Sequence, residues 1–272
     1  FFIGPAGAYL FHEIGYVEQV LLLQLMLAIS LARTRMLAGW SLMALSLFVH
    51  EMAAFTVVPL YFMARVREGA RLQELAAGTV ICGGVFLVLQ TYLQFPDPVV
   101  VKTFVGKLAA HANYPVRSDY YDVFVHRFTG SRQQIYYGPG EWPQLFMAVF
   151  FAAATGWGCA TLEVEEDRRG RVFLALTGAG AGICPLLLGA FGWDVHRWIF
   201  LSLTGSFLAL TMNWGQLQWK VRWTLGVLLA LIAIQLNLQY FDGYAPRSVD
   251  RWGLERFLRW ELPRELTRIP TR

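Results

Sequence analysis

The sequence predicts an all-α fold: a polytopic bundle of transmembrane helices with a re-entrant helical hairpin and a long outer loop. Three observations carry this expectation. Of 272 residues, 56% are hydrophobic and only 15% are charged, against about 25% charged in soluble globular proteins. Mean hydropathy is +0.43. Apolar runs long enough to approach the thickness of a bilayer alternate with short basic clusters. A soluble domain of this size needs far more charge to cover its surface, so the lipid bilayer is the expected solvent and first partner.

Net charge is +4 and the pI is near 9.1. The basic residues sit in clusters between apolar runs, the pattern of retained loops rather than of a phosphate-binding face, so nucleic acid is not expected as a partner. Cys82, Cys159 and Cys184 each lie inside an apolar run, with no pair at metal-ligand spacing, and read as small buried residues. No metal site and no particular cofactor is indicated. The chain opens on Phe1-Phe2-Ile3 without a signal-peptide pattern. Residues 1–11 resemble the end of a spanning segment, so the expectation is a longer native protein.

A helix needs roughly 20 apolar residues to cross the hydrocarbon core. Spans are expected at about 17–32, 75–94, 143–161, 172–191, 198–213 and 223–241, within a transmembrane domain covering 1–241. The apolar segment 36–63 is interrupted at its centre by His50-Glu51. Arg33 and Arg35, then Arg65, Arg67 and Arg71, then Arg168, Arg169 and Arg171, then Lys220 and Arg222 form four basic clusters. Lys and Arg near span ends are retained in the cytoplasm. A single crossing over 36–63 would put the second cluster on the wrong side. Two half-helices, about 36–48 and 52–63, remove the conflict by entering from the cytoplasm and returning. Irregular backbone at that depth is tolerated where protein or a water-filled cavity surrounds it. The competing expectation is one tilted 28-residue helix with one inverted loop.

With the hairpin, residues 12–16, 95–142 and 192–197 and the tail after 241 fall on the opposite, outer side. The tail, 242–272, is Arg-rich and mixes charge with Trp252, Phe257, Leu258 and Trp260, as an amphipathic surface helix does on either face.

Four polar groups then converge on the outer side. The run from His12 and Glu13 to Glu18 and Gln19 meets the outer end of the first span. A carboxylate there is favoured by the helix dipole by about 0.3–1 kcal/mol, which accounts for Glu18 alone; the density of polar residues suggests a cavity rim. His50 and Glu51 are adjacent ionisable residues inside an apolar run, where each costs about 2.5–3.5 kcal/mol on insertion scales. They read either as a satisfied internal pair or as a functional site. Asp194, His196 and Arg197 lie between two spans, with Trp193 and Trp198 as interfacial aromatics. Asp194 and Arg197 are spaced to pair on one turn. Arg197 at a helix start opposes the dipole, so a carboxylate or a ligand anion is expected beside it. The loop 95–142 carries Arg117, Tyr120 and many other aromatic and charged residues. Loops of that length without evident secondary structure are usually lids, binding loops or disordered. The aromatic richness argues against disorder, and aromatic rings beside Asp and Arg suit sugar faces and hydroxyls, or a membrane-skimming helix.

The run Ser46-Leu47-Phe48-Val49-His50-Glu51-Met52-Ala53-Ala54-Phe55, followed by Val58-Pro59-Leu60-Tyr61-Phe62, resembles a segment of bacterial exopolysaccharide and O-antigen polymerase-like membrane proteins. Arg197-Trp198-Ile199-Phe200 resembles their late Arg-aromatic motif at a span start. The resemblance covers about 17–64 and 190–213; Glu51 stands where those proteins often carry Ser, and the spans are fewer. It implies an integral protein of the bacterial inner membrane that transfers or polymerises polyprenyl-diphosphate-linked sugars on the outer face. It further implies that Arg197, with His50 or His196, holds the diphosphate, that Glu13, Glu18, Glu51 or Asp194 serves as base, and that His12, Gln19, Arg117 and Tyr120 belong to the sugar-binding surface. Other classes fit the same residues. A transporter would use buried His, Glu and Arg as an ion relay, though no inverted repeat is evident. A non-catalytic subunit of a larger membrane complex could ligate a pigment or haem through His50 or His196.

Overall fold

The computed structural model describes residues 17–32, 34–92, 98–111, 139–162, 168–190, 194–235, 238–242 and 245–248. These residues are almost wholly helical. The helices are α1 (Glu18–Ala32), α2 (Met36–Val49), α3 (Val57–Arg67), α4 (Leu72–Tyr92), α5 (Pro98–His111), α6 (Trp142–Ala160), α7 (Arg168–Ile183), α8 (Val195–Asn213) and α9 (Trp219–Gln235). A short antiparallel hairpin follows, β1 (Gln239–Asp242) pairing with β2 (Ala245–Ser248).

Among the described residues, three helical stretches are long and apolar enough to cross a membrane: Leu72–Tyr92, Trp142–Ala160 and Gly170–Ala190. α1 and α2 are apolar but shorter. Helices cover all six expected spans, but those at 17–32, 198–213 and 223–241 are not among the stretches long and apolar enough to cross. The span expected to end at 241 stops as helix at Gln235, and 239–242 is strand. Within the loop 95–142, which shows no evident secondary structure in the sequence, Pro98–His111 is helix. In α7 the helix tightens to 3-10 geometry over Cys184–Ala190. Pro185 explains the change, because it has no N–H to give to the carbonyl four residues back and its ring crowds that carbonyl.

The segment 36–63 folds back on itself. Along one straight helix, Trp40 and Tyr61 would lie about 30 Å apart at 1.5 Å per residue. Their ring centroids are 4.8 Å apart, and Trp40 lies 6.5 Å from Phe62. α2 and α3 are therefore the two arms of a hairpin. The second arm begins later than expected, at Val57 rather than 52, because Glu51–Ala54 forms a 3-10 turn first. Pro59 sits in the first turn of α3, where its missing N–H breaks no helical bond.

The hairpin leans on α4. Trp40 packs over Gly78, where a Cβ would overlap the indole. Farther up, the Phe55 and Phe86 rings meet edge to face at 5.9 Å. Phe86 is 14 residues along α4, about 21 Å up a helix about 31 Å long, so the turn reaches roughly two-thirds of the way through the bundle.

The base is pinned by ions. Arg65, 9% exposed, donates from Nε to Glu74 Oε1 at 2.8 Å and from Nη2 to Glu74 Oε2 at 3.2 Å, and also bonds Glu68. Trp40 Nε1 donates to the same Glu74 oxygen at 3.3 Å. Arg67 Nε donates to Gln216 Oε1 at 3.3 Å, so the ends of α3 and α8 share one face of the bundle. The Asn213 side chain reaches Met63 and Cys159 on that face, bringing the end of α6 to it as well. The basic residues Arg35, Arg65, Arg67, Arg71, Lys220 and Arg222 accordingly gather at one end.

α8 runs through the middle, packing against α3, α6 and α7 and buried along nearly its whole length. Small residues make the close approaches possible. A Cβ on Gly205 would overlap the Ala181 carbonyl oxygen, and one on Gly156 would lie 2.7 Å from the Ala175 carbonyl oxygen. Helices in lipid gain nothing from the hydrophobic effect by associating, so such close van der Waals seams hold them together.

Candidate functional site

The site lies where the hairpin turn meets the opposite ends of α1 and α8. Helix α2 ends at Val49, and His50 breaks it with an extended backbone (φ −163°, ψ 135°). The imidazole then caps the next turn: His50 Nδ1 accepts from the Met52 backbone N–H at 3.2 Å. The same nitrogen lies 3.4 Å from Glu51 Oε2. One nitrogen cannot serve both partners fully. A neutral ring protonated on Nε2 accepts from Met52; a doubly protonated ring gives that bond up and pairs with Glu51. The step carries a proton-accepting dyad, with the Glu51 side chain half exposed and His50 one-third exposed.

Arg197 stands opposite, in the first turn of α8. Its Nε donates to Glu18 Oε1, with the two side chains 11% and 8% exposed. Its Nη2 is 3.7 Å from Met52 Sδ, and Nη1 is 3.9 Å from Asp194 Oδ2. Trp198 supports the guanidinium at 5.5 Å from its ring centroid. Asp194 occupies the N-cap position of α8 without a side-chain capping bond; its carboxylate faces Arg197 instead. Opposing the α8 dipole, Arg197 has the carboxylate that its position demands, and Glu18 sits at the N-terminus of α1, where its own charge is favoured. Glu18 Oε2 is buried with no hydrogen-bond partner among the described residues. Glu51, Arg197 and Glu18 all act electrostatically on the His50 ring. Five residues singled out from sequence, Glu18, His50, Glu51, Asp194 and Arg197, thus share one neighbourhood.

The other candidates from the sequence divide. Gln19 is next to Glu18 but exposed. His196 also leaves the cluster: its Nδ1 is buried without a partner among the described residues, and Glu141, at the start of α6, is the carboxylate that acts on it. His12, Glu13, Arg117 and Tyr120 lie outside the described residues. Sequence reasoning missed Met52, whose sulfur faces Arg197, because an apolar residue in an apolar run gives no signal. Glu141 was visible only as one acidic residue in a long loop.

The geometry offers a charge-assisted donor for an anion, a carboxylate that orients it, and a separate proton acceptor on the turn. The chain matches no protein-family model, no curated protein and no solved structure.

Proposed function

We propose that this protein is a membrane-embedded glycosyltransferase or polymerase acting on polyprenyl-diphosphate-linked sugars at the face opposite the basic clusters, in polysaccharide assembly at a bacterial inner membrane. The buried Arg197–Glu18 pair facing the His50–Glu51 step is the observation that carries the reading. In the reaction an acceptor hydroxyl attacks the anomeric carbon of the donor sugar, the bond from that carbon to the phosphate oxygen breaks, and polyprenyl diphosphate leaves with the electron pair. Arg197, held through Nε by Glu18, directs Nη2 toward Met52 of the turn and Nη1 toward Asp194, and neutralises charge developing on the leaving diphosphate. The acceptor proton goes to Glu51 or His50. Glu18 is a positioning residue for Arg197, since it is buried behind the guanidinium, and Asp194 acts on the same cation.

The test is polymer yield and chain length in cells carrying His50→Ala, Glu51→Gln or Arg197→Ala, with membrane levels of each variant measured. Loss of polymer at normal protein level is expected for Glu51→Gln, and loss beyond any fall in protein level for His50→Ala and Arg197→Ala, which also remove a cap and one member of a buried ion pair. Normal yield and length in all three would sink the reading.

A further inference from the structure

A second feature lies beside the turn. Helices α4 and α7 flank α3 without closing on each other, and between them lies an apolar cleft of about 510 Å³. α3 and the turn before it form its floor through Val58 and Phe55, α4 one wall through Gly83 and Phe86, and α7 with the 3-10 stretch that follows it the other, through Gly180 and Cys184. We propose that this cleft holds the first part of the hydrocarbon chain of the polyprenyl donor while its diphosphate reaches Arg197; the inference rests on the glycosyl-transfer reading above.

Three observations choose a single thin chain as the occupant. The volume is of ligand size, within the roughly 300–1,000 Å³ of small-molecule sites. The lined stretch of α4, from Thr79 to Phe86, is only about 10 Å long. Aromatic pairs bound it, Phe55 with Phe86 at 5.9 Å toward the turn and Phe62 with Phe173 at 6.1 Å toward the basic end. A partner helix needs a continuous groove and an interaxial spacing of about 8–10 Å, which a short bounded cleft does not provide. A flexible chain can enter sideways between α4 and α7.

The cleft and the ionic site adjoin the same turn of the chain. One 3-10 turn, Glu51–Ala54, serves both: Met52 faces Arg197, while Ala54 and the next residue, Phe55, line the cleft. A lipid with its chain against Phe55 thus has its anionic head beside the part of the hairpin that touches Arg197. The open positions are Gly83 and Gly180, where a Cβ would meet no atom within 4 Å. Because a chain moving from lipid into this cleft gains little from the hydrophobic effect, the cleft discriminates by shape, favouring a methyl-branched chain over a linear one.

The experiment is photo-crosslinking of the purified, full chain in nanodiscs with polyprenyl phosphate carrying a diazirine near the head, mapped by mass spectrometry. Crosslinks are expected on α4 and α7 around Gly83, Phe86 and Cys184. They should fall about tenfold in the Gly83→Leu, Gly180→Leu double variant, whose added Cβ atoms start in open space and whose side chains occupy the cleft, with thermal unfolding unchanged. A linear diacyl phosphatidic acid bearing the same diazirine should label these sites weakly. Equal labelling by both lipids, or labelling unchanged in the double variant, overturns the proposal. The two readings separate cleanly: crosslinking with no polymer formed by the wild type removes the transfer reading, whereas full polymer yield in the double variant removes the cleft alone.

Discussion

Glu18 and Arg197 are separated by 179 residues yet form a buried ion pair joining the N-terminal ends of α1 and α8. Removing one member of a buried pair strands the other charge, at a cost of about 3–5 kcal/mol, whereas replacing both with apolar residues of similar volume is often neutral. Arg197→Ala is therefore expected to lower the unfolding temperature strongly, and Glu18→Leu combined with Arg197→Met to recover most of the loss. Transfer activity should be absent in both. Thermal unfolding in detergent gives the first comparison and polymer yield the second. An Arg197→Ala protein as stable as wild type would mean that the pair contributes no net charge compensation.

His50 and Glu51 separate the chemical from the structural contribution. Glu51 is half exposed, and substitutions of exposed side chains usually change stability by less than about 0.5 kcal/mol. Glu51→Gln keeps the shape and removes the proton acceptor, so transfer should fall by about 10²–10⁴-fold at unchanged stability. His50→Ala also removes the cap on Met52 N–H and should cost about 1 kcal/mol as well. Initial rates with purified lipid-linked donor, read beside unfolding curves, check both. A Glu51→Gln rate within a factor of about two of wild type, far inside the range expected for a lost proton acceptor, excludes Glu51 as the base.

The base of the hairpin predicts a third effect. Arg65→Lys keeps a cation beside Glu74 but cannot span both its oxygens, which the guanidinium now does at 2.8 and 3.2 Å. A loss of about 1.5–3 kcal/mol is expected, the range of hydrogen bonds to charged groups. Trp40→Phe, which removes the indole donor to Glu74, should cost about 1 kcal/mol. Unfolding temperatures of both variants test the order Lys worse than Phe.

Small residues in the arms give a fourth. A Cβ on Gly39 would overlap Tyr61 Oη and lie 2.9 Å from Cζ, while Tyr61 is fully buried. Gly39→Ala should cost about 1–3 kcal/mol by overpacking, and Tyr61→Phe should relieve part of it by deleting the overlapping oxygen. Gly83→Ala, in open space, should be close to neutral. Equal unfolding temperatures for Gly39→Ala and Gly83→Ala would contradict the packing of the two arms.

Much of this arrangement is written in local chemistry. His50-Glu51 marks the break in 36–63 because two ionisable residues cannot sit inside a continuous lipid-facing helix at small cost. The basic clusters require that segment to return. Arg197 at a helix start demands a carboxylate, and Asp194 is within a turn of it. What one sequence does not contain is the partner's address: Glu18 is chosen by how α1 packs beside α8, a long-range outcome that no periodicity records. The late start of α3 escaped for a similar reason, since Met52-Ala53-Ala54 suits α and 3-10 geometry alike, and the His50 cap decides between them. The cleft was equally invisible, being a gap between helices rather than a property of any one.

The last prediction concerns topology, on which the assembly of the site depends. The Arg67–Gln216 hydrogen bond puts the turn after α3 and the turn after α8 at one end, together with the α1–α2 turn at Thr34. Single cysteines at the exposed positions Thr34, Arg71 and Gly215, in a background with Cys184→Ala, should react with a membrane-impermeant maleimide from the same side of sealed vesicles. Gly140→Cys, at the start of α6, should react from the other side. The positive-inside rule makes the first side cytoplasmic. A single crossing of 36–63 reverses the result for Arg71 relative to Thr34, because one passage of the membrane would then separate them. In that case the His50–Glu51 step lies at mid-span of a through-going helix, its approach to Arg197 is lost, and the transfer chemistry loses its proton acceptor while the membrane-spanning bundle stands.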